Sequence, residues 1–326
     1  MAGTALAAML LVDKHKIDLH ANISKYLPEL KKSNKKDIVL IDMLAHQAGL
    51  RAWIPFYKNT IANGRLNDSL YHQTKDSFYT LQVADSLWLR CDYADSIWQT
   101  IIDSPLETPG KYVYSDLGMI ILQHIIEKLT GKKLNEYVEE NFYKPLGLTH
   151  TLYHPLDCFK TSQLIPTEND TVFRHRVVQG YVHDPAAAML GGVAGNAGVF
   201  SNAQGLAVIM QMLLSGGEYG GKRFIKKETV DQFTTTAFPT TENRRGIIFD
   251  KPEPDSNKNG PTAKDASPFT FGHTGFTGTC AWADPKNGLV YIFLSNRVYP
   301  SAENNKLAKA NTRTAIMQVL YDAVGK

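Results

Sequence analysis

Cysteine is scarce. The three in 326 residues, Cys91, Cys158 and Cys280, are odd in number and widely spaced, which excludes a disulfide framework and a cysteine-built metal site. Charge of one sign is lacking too: 35 Lys and Arg against 32 Asp and Glu leave a formal +3, too little to make nucleic acid or an anionic membrane the default partner. The one basic cluster, Lys31, Lys32, Lys35 and Lys36, reads as a solvated turn. No apolar run approaches the roughly 18 residues of a membrane span, and no tandem repeat is visible. What remains is an ordinary globular composition, 43% hydrophobic and 10% aromatic, with enough chain for one large domain or two lobes.

The apolar, Ala-rich stretch Met1 to Val12 lacks the basic segment and small-residue cleavage motif of a signal peptide. Ala2, Leu6, Met9 and Leu10 share one helical face, so the stretch reads as a buried amphipathic helix. Ile17 to Leu30 reads as an extended loop and Ile38 to His46 as a short helix ended by Gly49. From Arg51 to Ile102 the chain is mixed polar and aromatic, with helical patches around Leu81 to Trp88. Leu117, Ile120, Ile121, His124, Ile125 and Leu129 mark the clearest helix, with Ser115 or Asp116 as N-cap and Gly131 at its end. Further helices are expected over Leu134 to Phe142 and Gly205 to Ser215. The glycines of Gly191 to Gly198 require close backbone approach or a sharp bend. Thr277 to Ala283 and Leu289 to Ser295 form a hairpin through Asp284 to Gly288, the second strand being apolar enough to be covered on both faces. A closing helix carries Ala310, Thr314, Met317, Tyr321 and Val324 on one stripe. This order of elements is α+β.

Two motifs fail on chemistry. Gly216 to Arg223 matches G-x-x-x-x-G-K, but Arg223 replaces the magnesium-binding Ser or Thr and a helix precedes it. His150 and His154 stand at i and i+4 with no third ligand, so no metal site is assigned. The pattern that carries chemistry is split between Tyr114-Ser115-Asp116, at the start of the best helix, and His273-Thr274-Gly275, opening the C-terminal strand run, where a glycine lets substrate approach the backbone.

Those tripeptides, in this order and about 160 residues apart, resemble the serine β-lactamase and penicillin-binding-protein superfamily, in particular its class C-like branch with esterases and D-amino-acid peptidases. The resemblance runs essentially end to end. It is carried by Lys16-Ile17-Asp18-Leu19, Ser24-Lys25-Tyr26-Leu27-Pro28, Leu44-Ala45-His46-Gln47-Ala48-Gly49-Leu50, Thr108-Pro109-Gly110, Glu127-Lys128-Leu129-Thr130-Gly131, Pro145-Leu146-Gly147-Leu148, Gly191 to Phe200 and Gly272-His273-Thr274-Gly275. It implies a β-lactamase/transpeptidase-like α+β fold in a single domain of two lobes: a mostly helical one over about 20–240, and an antiparallel sheet flanked by helices from about 1–19 and 241–326.

The resemblance also implies roles. Tyr114 supplies a phenol for proton transfer. Asp116, commonly Asn, hydrogen-bonds substrate and a catalytic lysine. His273, Lys in most β-lactamases, polarises the phenol and attracts a substrate carboxylate, with a charge set by pH near neutrality. Thr274, Gly275 and Phe276 bind substrate, the Phe276 N–H as an oxyanion donor. Asp at 116 and His at 273 favour an ester or D-amino-acid amide over a β-lactam. The His183-Asp184 pair reads as a structural hydrogen bond.

Alignment of Lys16 to Leu19 places the Ser-x-x-Lys pair, nucleophile and lysine, just before Met1. The sequence contains that pattern once, at Ser33-Asn34-Lys35-Lys36, in a polar loop where it reads as accidental. The chain is therefore expected to be inactive as it stands. Three explanations are open: a truncated gene product; a non-catalytic module binding peptide or peptidoglycan; or a fragment of a larger polypeptide, since similar domains follow family 3 glycoside hydrolase modules. The expected ligand is a small acyl or peptide substrate, with no cofactor, metal, nucleic acid or membrane span. Without the family's leading strands, the edge of Leu289 to Ser295 is expected to be exposed and to drive homo-oligomerisation. The family points to an extracytoplasmic, periplasmic setting.

Overall fold

The computed structural model describes residues 2–325. Its centre is the first helix, Thr4–Asp13, which is buried at every position from Thr4 to Leu11. The expected amphipathic stripe is therefore corrected: Ala5, Ala7 and Ala8 are as enclosed as Leu6 and Leu11, because small side chains let neighbours close in on every face. Helices Asp116–Thr130, Leu134–Val138 and Lys227–Thr234 pack around it.

The Asp116–Thr130 helix starts from extended Ser115 (φ −133°) and ends on left-handed Gly131 (φ 67°), the terminators the sequence shows. The glycine-rich segment lies against it. A Cβ on Gly195 would sit 1.8 Å from the Met119 carbonyl oxygen, and its flanking groups are tied down: Thr4 Oγ1 donates to the Gly195 carbonyl and the Gly195 N–H donates to Gln123 Oε1.

Strands Phe271–Thr274, Cys280–Asp284 and Leu289–Phe293 form a three-stranded antiparallel sheet in that order. Its register pairs His273 with Ala281 and Cys280 with Phe293. Alternation splits its side chains between two cores. Phe271, Ala281, Ala283, Val290 and Ile292 join the main core, where Ala203–Leu214 packs on the sheet. Cys280, Trp282, Tyr291 and Phe293 join Ala263 and, from the C-terminal helix Thr312–Ala323, Met317 and Tyr321. The last strand is thus covered on both faces, and among the described residues it pairs with a strand on one side only.

The middle strand begins at Cys280 rather than Thr277, because Gly275 to Thr279 close a tight loop. A larger departure lies at Leu81 to Trp88, which is a hairpin, Tyr79–Ala84 with Leu87–Arg90, not helix. Leu87 and Leu89 are buried at alternating positions of the second strand and Val83 and Ala84 at the end of the first, and Ser86 turns the chain at φ 48°. The helix that follows, Tyr93–Asp103, is not marked by any pattern noted in the sequence.

Candidate active site

The Tyr114-Ser115-Asp116 segment is clamped by the loop after the short helix Leu40–Leu44. Val113 N–H donates to the His46 carbonyl and Asp116 N–H to the Ala52 carbonyl. The Ser115 N–H donates to His46 Nδ1 (3.2 Å) and its Oγ to the Arg51 carbonyl (2.6 Å). That hydroxyl is committed to the backbone, so Ser115 is a hinge of the site rather than an attacking group. Left-handed His46 (φ 60°) brings its ring to 4.4 Å from Tyr114, centroid to centroid.

A third segment completes the cluster. Asn243 Nδ2 donates to the Ala45 carbonyl and to Gln47 Oε1, and its own Oδ1 accepts from the Arg245 N–H. This sends the buried Arg245 side chain beneath the site. Its guanidinium carbon lies 5.6 Å from the Tyr114 ring centroid, and Nη2 donates to His273 Nε2 (2.9 Å) and to the Ile248 carbonyl (2.7 Å). Asp250, 3.5 Å from Nη1, balances the charge. The structure thus brings Tyr114 and His273, sequence-expected, to 5.8 Å ring separation and adds two residues that sequence reasoning missed, His46 and Arg245. His46 stood inside a family signpost without a role. For Arg245 the only signal is an Arg-Arg pair ahead of the apolar run Ile247 to Phe249.

These neighbours decide the protonation states. His273 Nδ1–H donates to the Thr274 carbonyl (2.6 Å) while Nε2 accepts from Arg245, which fixes a neutral tautomer. Burial and the Arg245 charge push its pKa down to about 3. The expectation of a cleft charge that His273 switches near neutrality is therefore corrected: the ring is neutral at pH 7, and the standing cation is Arg245. Burial, then Arg245, also hold His46 well below the ordinary range, consistent with Nδ1 accepting from Ser115.

Asp116 is pushed up to about 7 by burial and by the nearby Asp184 carboxylate, against a hydrogen bond from Tyr114. Tyr114 is raised above its ordinary value by burial of its hydroxyl end and by Asp116; Arg245 pulls the other way. The residue as a whole remains 39% exposed, so a proton-holding phenol lies near the surface of the site. Asp184 caps the helix Pro185–Met189 through the Ala187 N–H (2.7 Å) and accepts from Asn196 Nδ2 (3.3 Å). Its neighbour His183 sits 3.3 Å from Glu168, within a network around fully buried Arg174, which bonds Glu168 and Asp170 at 2.7 Å each.

The His-Thr-Gly loop departs from expectation in one respect. The Gly275 N–H donates to the Thr279 carbonyl (2.8 Å), and a Cβ at 275 would meet Thr279 Oγ1 at 2.3 Å. This glycine serves the turn, and its amide is spent internally instead of on substrate. Thr274 pairs with Cys280 at the end of its strand. Phe276 is 64% exposed, lies tilted against the His183 ring at 5.2 Å, and its N–H has no hydrogen-bond partner among the described residues.

Other motifs resolve simply. Ser33 Oγ donates to the Leu30 carbonyl and Lys36 is an exposed neighbour of Asp37, so Ser33-x-x-Lys36 assembles nothing. His154 bonds the Gly191 carbonyl while His150 stacks on Phe159. Among the described residues no group of three or more His, Cys, Asp or Glu side chains is arranged to hold a metal, and no helix is long and apolar enough to cross a membrane. Gly216 to Arg223 is a small hairpin, with Arg223 bonded to Gly216 and Glu218.

A helix-flanked antiparallel sheet facing a Tyr-His-Arg cluster defines the β-lactamase/transpeptidase-like class of α+β proteins. The chain belongs to the Beta-lactamase family, whose profile matches residues 2–315. Proteins named D-alanyl-D-alanine carboxypeptidase from Escherichia coli K12 and Salmonella agona are each 35% identical to it, over 94% of this chain and 69% of theirs. Among solved structures, a penicillin-binding-protein homologue from Caulobacter crescentus superposes with a TM-score of 0.60 at 20% identity, over 90% of this chain and 75% of that one. EstCE1, a hydrolase with promiscuous acyltransferase activity, superposes at 0.61 and 18%, over 90% and 77%.

Proposed function

We propose that this chain carries the proton-transfer and oxyanion half of a serine acyl hydrolase acting on an ester or D-amino-acid amide. The observation that carries the reading is Tyr114, held protonated between His46, His273 and Arg245, with the Phe276 amide, three residues after His273, left without a hydrogen-bond partner among the described residues. The carboxypeptidase names of its 35%-identical relatives support the peptide side of that substrate class.

In this reading the serine hydroxyl attacks the scissile carbonyl and passes its proton to the paired lysine, the developing oxyanion accepts from the Phe276 N–H, and Tyr114 hands its proton to the departing amine or alcohol as the bond breaks and takes the lysine's proton in its place. Water then releases the acyl group and restores the serine hydrogen. Arg245, not His273, supplies the positive potential. Ser33 and Lys36 do not supply the serine and lysine of this step, since Ser33 Oγ is bonded to the Leu30 carbonyl and Lys36 is exposed beside Asp37. The setting is periplasmic, and the one-sided last strand gives copies a surface for self-association; a homologue from Pyrococcus abyssi, 17% identical with a TM-score of 0.58, is described as octameric.

The test is labelling with a fluorescent penicillin and a fluorophosphonate. The 326-residue chain should remain unlabelled, and a form extended upstream through Ser-x-x-Lys should label at the serine. Failure of the extended form to label, with its fold intact, overturns the enzyme reading in favour of a peptide-binding module. Stoichiometric labelling of Ser33 overturns the placement of the nucleophile.

A further inference from the structure

The loop Gly275 to Thr279 carries five consecutive carbonyls, and each accepts a hydrogen bond. Gly275 accepts from the Gly278 N–H (3.0 Å) and, at 3.4 Å, from Arg313 Nη1. Phe276 accepts from Arg297 Nε (2.9 Å), Thr277 from the Arg297 N–H (3.1 Å), and Gly278 from Ser295 Oγ (3.0 Å). Thr279 accepts from the Gly275 N–H (2.8 Å) and Arg313 Nη1 (2.9 Å). Arg297 is itself anchored: Nη1 donates to the carbonyls of Ala302 (3.1 Å) and Asn304 (3.0 Å), and its guanidinium carbon lies 4.6 Å from the Phe276 ring centroid. Arg313 comes from a separate element, the C-terminal helix.

A peptide plane has two ends. The Phe276 N–H shares its plane with the Gly275 carbonyl, which Arg313 contacts, and the Phe276 carbonyl held by Arg297 fixes the plane that follows; a donor already aimed at the developing charge does not reorganise during reaction. We propose that Arg297 and Arg313 are positioning residues that lock the Phe276 amide in its oxyanion-donating orientation. The proposal rests on the reading of Phe276 as the oxyanion donor, and it adds two residues from outside the His-Thr-Gly motif. Neither arginine touches the reacting atoms. They act through the loop, as two cations on its outer side whose fields also favour negative charge at its inner amide.

The experiment uses the 326-residue chain, isotopically labelled, with N-acetyl-D-alanyl-D-alanine as probe. In the unsubstituted protein the Phe276 amide proton should move downfield on titration, and its order parameter should sit near about 0.85, as in rigid backbone. In Arg297→Gln and Arg313→Gln the order parameter should fall toward roughly 0.6 and probe affinity should drop about tenfold, while the amide spectrum of the Thr4–Asp13 helix stays in place. Arg297→Lys, which keeps the charge without the Nε–H, should behave like Arg297→Gln and serves if the glutamine variant fails to fold. No response of Phe276 to probe in the unsubstituted protein overturns the oxyanion reading. A normal response there, with order parameter and affinity unchanged in the variants, overturns the positioning role alone. Full rescue by lysine reduces the role to charge and overturns the locking.

Discussion

Replacing a titratable cation by a permanent one changes what pH can do to the cleft. An arginine side chain stays protonated at any accessible pH, and burial together with the Arg245 contact keeps His273 neutral. Arg245→Met should therefore raise the His273 pKa from about 3 by one unit or more, read by nitrogen chemical shifts of the imidazole. It should also cost about 1 to 3 kcal/mol in urea unfolding, because Asp250 keeps Arg244 as a partner. Asp116 titrates in the opposite sense. Its folded pKa of about 7 lies above the ordinary 3.8, so the folded state holds a proton there that the unfolded chain has released. Stability on this account is complete below about pH 4 and lost as pH rises through 7. Asp116→Asn should match the unsubstituted protein at about pH 4 and exceed it by roughly 2 to 4 kcal/mol at about pH 8. Equal stability of the two proteins at both pH values would show that folding does not raise the Asp116 pKa. Tyr114 and His273 were legible in the sequence as parts of short motifs. Arg245 and His46 were not, since they reach the site through a buried side chain and a left-handed turn, neither of which leaves a local pattern.

At the level of elements, legibility followed periodicity and punctuation. The Asp116–Thr130 helix announced itself by apolar spacing, Ser115 and Gly131, and the glycines at 191–198 announced a close approach that Gly195 makes against Met119. The hairpin at Tyr79–Arg90 was misread because its alternation runs over short strands interrupted by register shifts, too few residues for either period to dominate. The first helix was misread as amphipathic because alanine, neutral in a pattern, is here a packing residue. Gly195→Ala should be among the most damaging single-methyl additions, since the obstacle is a carbonyl in a helix that cannot move aside. A loss above about 3 kcal/mol, or failure to fold, is expected in thermal and urea unfolding. Arg174→Met should cost about 3 to 5 kcal/mol by leaving Glu168 and Asp170 without their buried partner.

Across the whole molecule, the sheet's two-sided alternation has a thermodynamic corollary. The main core gathers most of the buried apolar residues, while the outer one contains six, Ala263, Cys280, Trp282, Tyr291, Met317 and Tyr321. A small core closed by one terminal helix is the kind of unit that opens sub-globally, below the cost of full unfolding. Amides of Thr312–Ala323 should therefore exchange with solvent through a partial opening, well before those of Leu117 to Ile126, which should exchange only on global unfolding. Uniform protection across both helices would contradict this. The same helix supplies Arg313 to the loop that carries the Phe276 amide. Each such opening would unlatch one support of that amide while the Tyr114 cluster, rooted in the main core, stays assembled. The two halves of the site would then differ in their lifetimes, the Phe276 side being renewed with every peeling of the terminal helix.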